Sequence, residues 1–217
     1  MFIAWASIYE GSTDDTYFGT LLPRVLNDLI LQNASRRVDV ADFPAIKFGR
    51  SGKAVEDVAR EICEGSEAFD FLFAHADTGG RAQQATATAR AMAYANAAAD
   101  LCGYPVDRCF PILPKKEMEA WALTDASAVC QSLGFAGDFR NLGLPSTPRQ
   151  AEALADPKLT LRQAIAHVKR RVRPSDPSRL LASIAQIQDL ARLRQCASYL
   201  QFENALGNQL NADGYFR

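Results

Sequence analysis

Three short apolar runs constrain this chain most, because each ends in a polar, turn-forming loop and is followed by residues at helical spacing. Phe2 to Tyr9 stops at Glu10-Gly11-Ser12-Thr13, Phe69 to Ala76 stops at Asp77-Thr78-Gly79-Gly80, and Cys109 to Leu113 stops at Pro114-Lys115-Lys116. Runs of this length, rich in aromatic and β-branched residues, read as buried strands. Strands that alternate with helices favour a largely parallel, layered α/β sheet.

The intervening segments fit that reading. Thr13 is the expected N-cap of a helix whose apolar stripe is Phe18, Leu21, Leu22, Val25, Leu26, Leu29 and Ile30, with Asp14 and Asp15 at the positive end of its dipole. Pro23 lies within that stripe and predicts a kink or a break. Arg37 to Phe48 reads as a strand plus connection interrupted by Pro44. Ala54, Val55, Val58, Ala59 and Ile62 have helical spacing, Arg81 to Cys102 is an alanine-rich helix, and Glu117 to Asp125 is a further helical stretch. Glycines and prolines cluster around residue 135, so the reading divides the chain into an α/β domain, 1–134, and an all-helical C-terminal part, 135–217. In the latter, Leu159, Leu161, Ile165 and Val168 form one helical face, and Leu180, Leu181, Ile184, Ile187, Leu190 and Leu193 a second.

Composition excludes more than it identifies. With 48% hydrophobic residues, 23% charged residues and a net charge of −1, the chain is neither disordered nor a polycation. No apolar run approaches the roughly 18 residues of a membrane span, and no basic segment precedes the first strand, so neither insertion nor export is expected. The five cysteines are scattered and never form a C-x-x-C pair, which argues against a disulfide framework or zinc site and for a reducing cytoplasm.

Candidate site residues gather at the ends of the strands, where open α/β sheets bind ligands. Glu10 follows the first strand, either as a functional carboxylate or as an exposed loop acid. His75 and Asp77 end a later strand and would share a crevice with Glu10 if the two strands are neighbours. Asp77 equally suits a turn or helix cap, and His75 either a structural role or that of a base. Oxygen ligands from two strand ends suit Mg2+. Glu117 and Glu119 open the helical stretch after the last strand, and Lys115 or Lys116 would neutralise phosphate there or simply remain solvated.

Other motifs close off enzyme classes. Gly49-Arg50-Ser51-Gly52-Lys53-Ala54 is not a phosphate loop, because Lys47 and Ala54 stand where glycine and Ser or Thr are required. Nucleophile elbows, dinucleotide fingerprints and H-E-x-x-H helices are absent from the sequence. From Lys158 to Arg173 the chain carries Lys158, Arg162, Lys169, Arg170, Arg171 and Arg173 and no acid. That run suits a nucleic-acid backbone, a solvated helix end or an acidic protein partner.

Together the acidic segments resemble the TOPRIM-like fold, in which a glutamate after the first strand and a D-x-D-type pair after a later one hold Mg2+ for phosphodiester chemistry. More narrowly, Glu10-Gly11-Ser12-Thr13-Asp14, Leu22-Pro23, the turn at Asp77 and Glu117-Met118-Glu119-Ala120-Trp121-Ala122-Leu123-Thr124-Asp125 resemble a bacterial family of unknown function. That family is often found beside ABC-type ATPases in antiphage loci, and the resemblance spans about residues 1–130. It implies a TOPRIM-like, mostly parallel sheet flanked by helices, Mg2+ or Mn2+ as cofactor, and an ATPase partner. Glu10 would be the metal-linked or general acid/base glutamate, Asp77 a ligand, and Glu117 or Glu119 a supporting acid. His75 would activate water, while Lys115, Lys116, Lys169, Arg170, Arg171 and Arg173 would position DNA or RNA. Either His75 occupies the first acidic place of the D-x-D pair or Gly79 the second. The implied functions are a nuclease effector of antiviral defence or, with an acid missing, a regulatory subunit that has lost the chemistry.

Overall fold

The computed structural model describes residues 1–9, 11–79, 84–169 and 177–217. Glu10, Arg170, Arg171 and Arg173 therefore lie outside the described residues.

The first apolar run is split at Ala4. Its opening, β1 (Phe2–Ile3), pairs in parallel with β3 (Asp39–Val40), and its remainder, β2 (Trp5–Tyr9), enters the main sheet. There β2 is joined by β4 (Ile46–Gly49), β5 (Phe71–His75) and β6 (Cys109–Ile112) in the order β4-β2-β5-β6, with every pair parallel. The chain leaves β2 in one direction to reach β4, then crosses back past β2 to β5. This reversal puts the topological switch point between β2 and β5.

Both faces of the sheet are covered, so its inner strands β2 and β5 are buried at every position, while the edge strand β4 buries only Phe48. Trp5, Tyr9, Phe71, Phe73, Phe110 and Ile112 share a core with helix α1 (Ser12–Asn33) and with later helices. Ala6, Ile8, Leu72, Ala74 and Cys109 pack on the other side against α2 (Val55–Gly65) and α3, described from Gln84 to Cys102. The buried alanines of α3, Ala87, Ala91, Ala95 and Ala98, lie at helical spacing and are small enough for close packing.

Helix α1 departs from two expectations. Its N-cap is Gly11 rather than Thr13, and the Asp14 carboxylate accepts the Gly11 N–H at 3.0 Å. It also runs through Pro23 unbroken. Loss of one helical hydrogen bond and crowding of the preceding turn cost about 3 kcal/mol. Tyr17, Phe18, Leu21, Leu22, Val25 and Leu26 are buried on both sides of the proline, at about 1.5–3 kcal/mol per large side chain, and outweigh that cost.

After β6 the described chain is helical: α4 (Glu119–Ala122), α5 (Ala126–Leu133), α6 (Pro148–Ala153), α7 (Pro157–Lys169), α8 (Pro177–Ile187), α9 (Leu190–Leu193) and α10 (Ala197–Ala212). Leu180, Leu181, Ile184 and Leu193 are buried in the core that contains α1 and the sheet. Leu159 is 48% exposed and leaves the apolar face assigned to it, whereas Leu161 and Ile165 are buried. The single turn α4 ends early because Asp125 starts a new helix, its carboxylate accepting from the Ser127 and Ala128 N–H groups. None of the described helices is long and apolar enough to cross a membrane.

A buried glutamine bolts the helices together. Gln188 accepts from the Tyr17 hydroxyl at 2.7 Å and donates to the Trp121 carbonyl and to Thr124 Oγ1. Gln188→Met is expected to cost about 2–3 kcal/mol in urea unfolding, since the Tyr17 hydroxyl is left buried and unsatisfied. Adding Tyr17→Phe recovers part of that loss; equal destabilisation in single and double variants would refute this account.

The cysteine reading is corrected: a disulfide joins Cys63 of α2 to Cys102 of α3, leaving Cys109, Cys130 and Cys196 as buried thiols. The two cysteines are 39 residues apart and meet only because α2 packs on α3. The cytoplasmic setting inferred from the cysteine pattern loses that support.

Candidate functional site

The strands that were required to be neighbours are neighbours: Ile8 of β2 pairs with Ala74 of β5. The end of β5, the loop after it and the start of α1 therefore converge at the switch point. Glu10 follows Tyr9 directly in the sequence, but its own placement is outside the described residues.

His75 closes β5 and belongs to the same alternating set as Phe71 and Phe73, so it faces α1. Its ring is 0% exposed and lies 4.8 Å from the Phe18 ring between centroids. Nδ1 is 3.6 Å from Asp14 Oδ2, and Nε2 is 3.3 Å from Asp77 Oδ1. Neither approach has hydrogen-bond geometry, so both are charge contacts. Burial opposes protonation of the ring, and the aspartates on either side more than offset it, raising the pKa above the usual histidine value.

Asp14 reaches His75 because it stands in the first turn of a helix that springs directly from β2. Asp77 is held by its backbone, whose carbonyl accepts from Arg90 at 2.6 Å. The next residue fastens two loops: Thr78 Oγ1 donates to the Pro114 carbonyl and accepts the Lys116 N–H at 2.7 Å. The Gly79 N–H donates to the Lys116 carbonyl. Lys116 takes a φ of 70°, a left-handed conformation uncommon for a residue with a side chain.

Unsatisfied polar atoms concentrate here. Tyr9 Oη, Asp15 Oδ1, both His75 nitrogens and Asp77 Oδ1 are buried with no hydrogen-bond partner among the described residues. Buried groups in this state are commonly functional or meet an ion or water. Burial, with Asp15 nearby, pushes the Tyr9 phenol well above its ordinary range. The other carboxylate oxygen of Asp15 binds Lys47 at 2.8 Å.

Glu119 joins the cluster from α4. It is 6% exposed, and burial raises its pKa, with Glu117 and Asp77 adding to the effect against Lys158 and a backbone hydrogen bond. It is thus biased towards holding a proton within electrostatic reach of Asp77.

The other sequence candidates are placed elsewhere. The Glu117 carboxylate accepts the Lys158 N–H at 3.1 Å, at the start of α7. Lys116 Nζ donates to the Ala155 carbonyl at 3.0 Å, and Lys115 lines a separate cavity with Arg149, Glu152 and Cys196. Lys169 closes α7. Sequence reasoning treated Asp14 as a dipole-favoured acid and passed over Tyr9, because neither reveals which strand end it meets.

The carboxylates supply the hard oxygen donors Mg2+ prefers, and Asp77, 40% exposed at its side chain, is open to solvent. Among the described residues no group of three or more His, Cys, Asp or Glu is arranged to hold a metal ion. No protein family, no curated protein and no solved structure matches the chain.

Proposed function

We propose that the chain is a metal-dependent phosphodiesterase acting on nucleic acid from the crevice between β2 and β5. The observation that carries this reading is the buried His75 clamped between Asp14 and Asp77 at the switch point of a parallel sheet, where such folds bind ligands. Glu10 and Asp77 would hold Mg2+ or Mn2+, which when bound supplies positive charge for the oxygens of the phosphoryl transition state. His75, enclosed and biased towards its protonated form by the two aspartates, orients them rather than meeting water itself. Glu119, whose burial favours the protonated form, would be the acid for a leaving oxygen.

The TOPRIM-like resemblance supports the same chemistry and extends the proposal to a defence effector working with an ABC-type ATPase. The rival regulatory reading used the C-terminal helices as the docking element. Its support is reduced by the packing, because Leu180, Leu181 and Ile184 are already buried in the protein's own core.

In the test, Mn2+ titration by calorimetry and cleavage of labelled DNA and RNA are measured for the wild type and for Glu10→Ala/Asp77→Asn. The double variant should lose saturable metal binding and at least about 100-fold in cleavage rate, the scale of removing a preorganised electrostatic stabiliser. Undiminished cleavage in that variant sinks the proposal.

A further inference from the structure

Beside the acidic cluster lies a second chemical feature. A cavity of about 390 Å3 is lined by Arg50, Ser51, Val55, Arg90, Ala93 and Tyr94, within the range of small-molecule sites, about 300–1,000 Å3. Arg50 and Ser51 follow β4 at the carboxyl edge of the sheet, and Arg90 and Tyr94 lie one turn apart on α3. The two arginines, distant in sequence, thus line the same cavity.

Arg90 ties this cavity to the acidic site, since its guanidinium donates to the carbonyl of Asp77. Arg50, which hydrogen-bonds Tyr94, feels both neighbours: burial lowers its pKa, Arg90 lowers it further, and Tyr94 and Asp77 oppose that. Two guanidinium groups brought within reach of each other repel, and the repulsion is relieved when an anion lies between them. Guanidinium forks match phosphate oxygens in geometry as well as charge. Tyr94 adds an aromatic ring to the wall.

We propose that Arg50 and Arg90 form the phosphate-gripping half of the crevice, holding a phosphodiester of the substrate strand beside Asp77. This rests on the phosphodiesterase reading for its consequence, though the anion site stands on its own geometry. The division of labour is then spatial: the Asp77 side chain and the α1 carboxylate Asp14 flank His75, while guanidinium groups from the β4 loop and α3 lie at the Asp77 carbonyl and the cavity beside it. The Gly49-to-Ala54 segment, which fails as a phosphate loop, contributes a phosphate ligand by this different route.

The test is binding of a fluorescein-labelled single-stranded oligodeoxynucleotide in EDTA, followed by anisotropy across a salt series. The wild type should bind with a steep salt dependence. Arg50→Gln/Arg90→Gln should bind about 10-fold or more weakly, and its log–log salt slope should be shallower by about 1.4, at about 0.7 per single-strand phosphate contact. Arg50→Gln alone, which leaves the Arg90 hydrogen bond to the Asp77 carbonyl in place, should show about half that change in slope. Arg50→Lys/Arg90→Lys should restore the slope.

Unchanged affinity and slope in the double glutamine variant, at wild-type melting temperature, would overturn the inference, as would absence of salt-dependent binding by the wild type. Mn2+ titration separates the two claims. Metal binding and Glu10/Asp77-dependent cleavage with no arginine effect would remove only the phosphate grip. Arginine-dependent binding without metal binding would sustain the grip and remove the hydrolase.

Discussion

Trp121→Ala is expected to destabilise the protein by about 3–5 kcal/mol, the range for removing a large aromatic from a packed core. Trp121 is fully buried in α4 and meets Phe18 edge-on at 6.0 Å, Tyr199 at 5.2 Å and Phe202 at 6.0 Å between ring centroids. Its indole N–H donates to Ser198 Oγ, which in turn donates to Glu152. One side chain thus links α1, α4 and α10, and its removal opens a cavity and unseats a polar contact together. Urea unfolding measures the effect, with Leu31→Ala as a control: Leu31 is 84% exposed and should change stability by no more than about 0.5 kcal/mol. A Trp121→Ala loss below about 1.5 kcal/mol would show that this packing is not what joins the helices to the sheet. Because Phe18 also contacts His75, the variant should loosen the candidate site as well.

His75→Gln should cost about 2–4 kcal/mol at pH 6, somewhat below the 3–5 typical of breaking a fully buried ion pair because Asp77 retains contact with water. Without the cation, Asp14 and Asp77 face each other with no charge between them. The folded pKa of His75 is raised by those aspartates against burial, so the folded state binds the proton more tightly than the unfolded one. The stabilisation is therefore fully present below about pH 6.5, the unfolded value, and is lost as pH rises through the higher folded value. In metal-free protein, unfolding free energies measured from pH 6 upward should fall for the wild type and stay flatter for His75→Gln. Parallel pH profiles would show that His75 is neutral in the folded state and does not act as the clamp.

Most of the architecture was legible because its signal is local. Strands buried on both faces must be apolar at successive positions, and Phe2 to Tyr9, Phe69 to Ala76 and Cys109 to Leu113 each contain a strand of the main sheet. The alanine stripe of α3 was legible from its helical spacing, whereas Arg37 to Phe48, read as one strand plus a connection, holds two short strands, β3 and β4, that join different sheets. Local rules failed where packing overrode them. Pro23 does not break α1 because the buried stripe on either side holds it, and Gly11 replaces Thr13 as cap because Asp14 reaches back to its N–H.

The candidate site divides along the same line. His75 and Asp77 were visible as polar residues ending an apolar run, a position that depends only on the chain near them. That Asp14 would meet His75, that Cys63 would bond Cys102, and that Arg50 and Arg90 would line one cavity depended on strand order and helix packing. By itself the sequence determined most of the segments that become strands and helices and which strand ends carry polar, titratable residues, since those follow from the local pattern of short stretches. Which ends lie side by side was decided only by the tertiary structure, because adjacency in a parallel sheet is set by crossovers that bring residues tens of positions apart into contact.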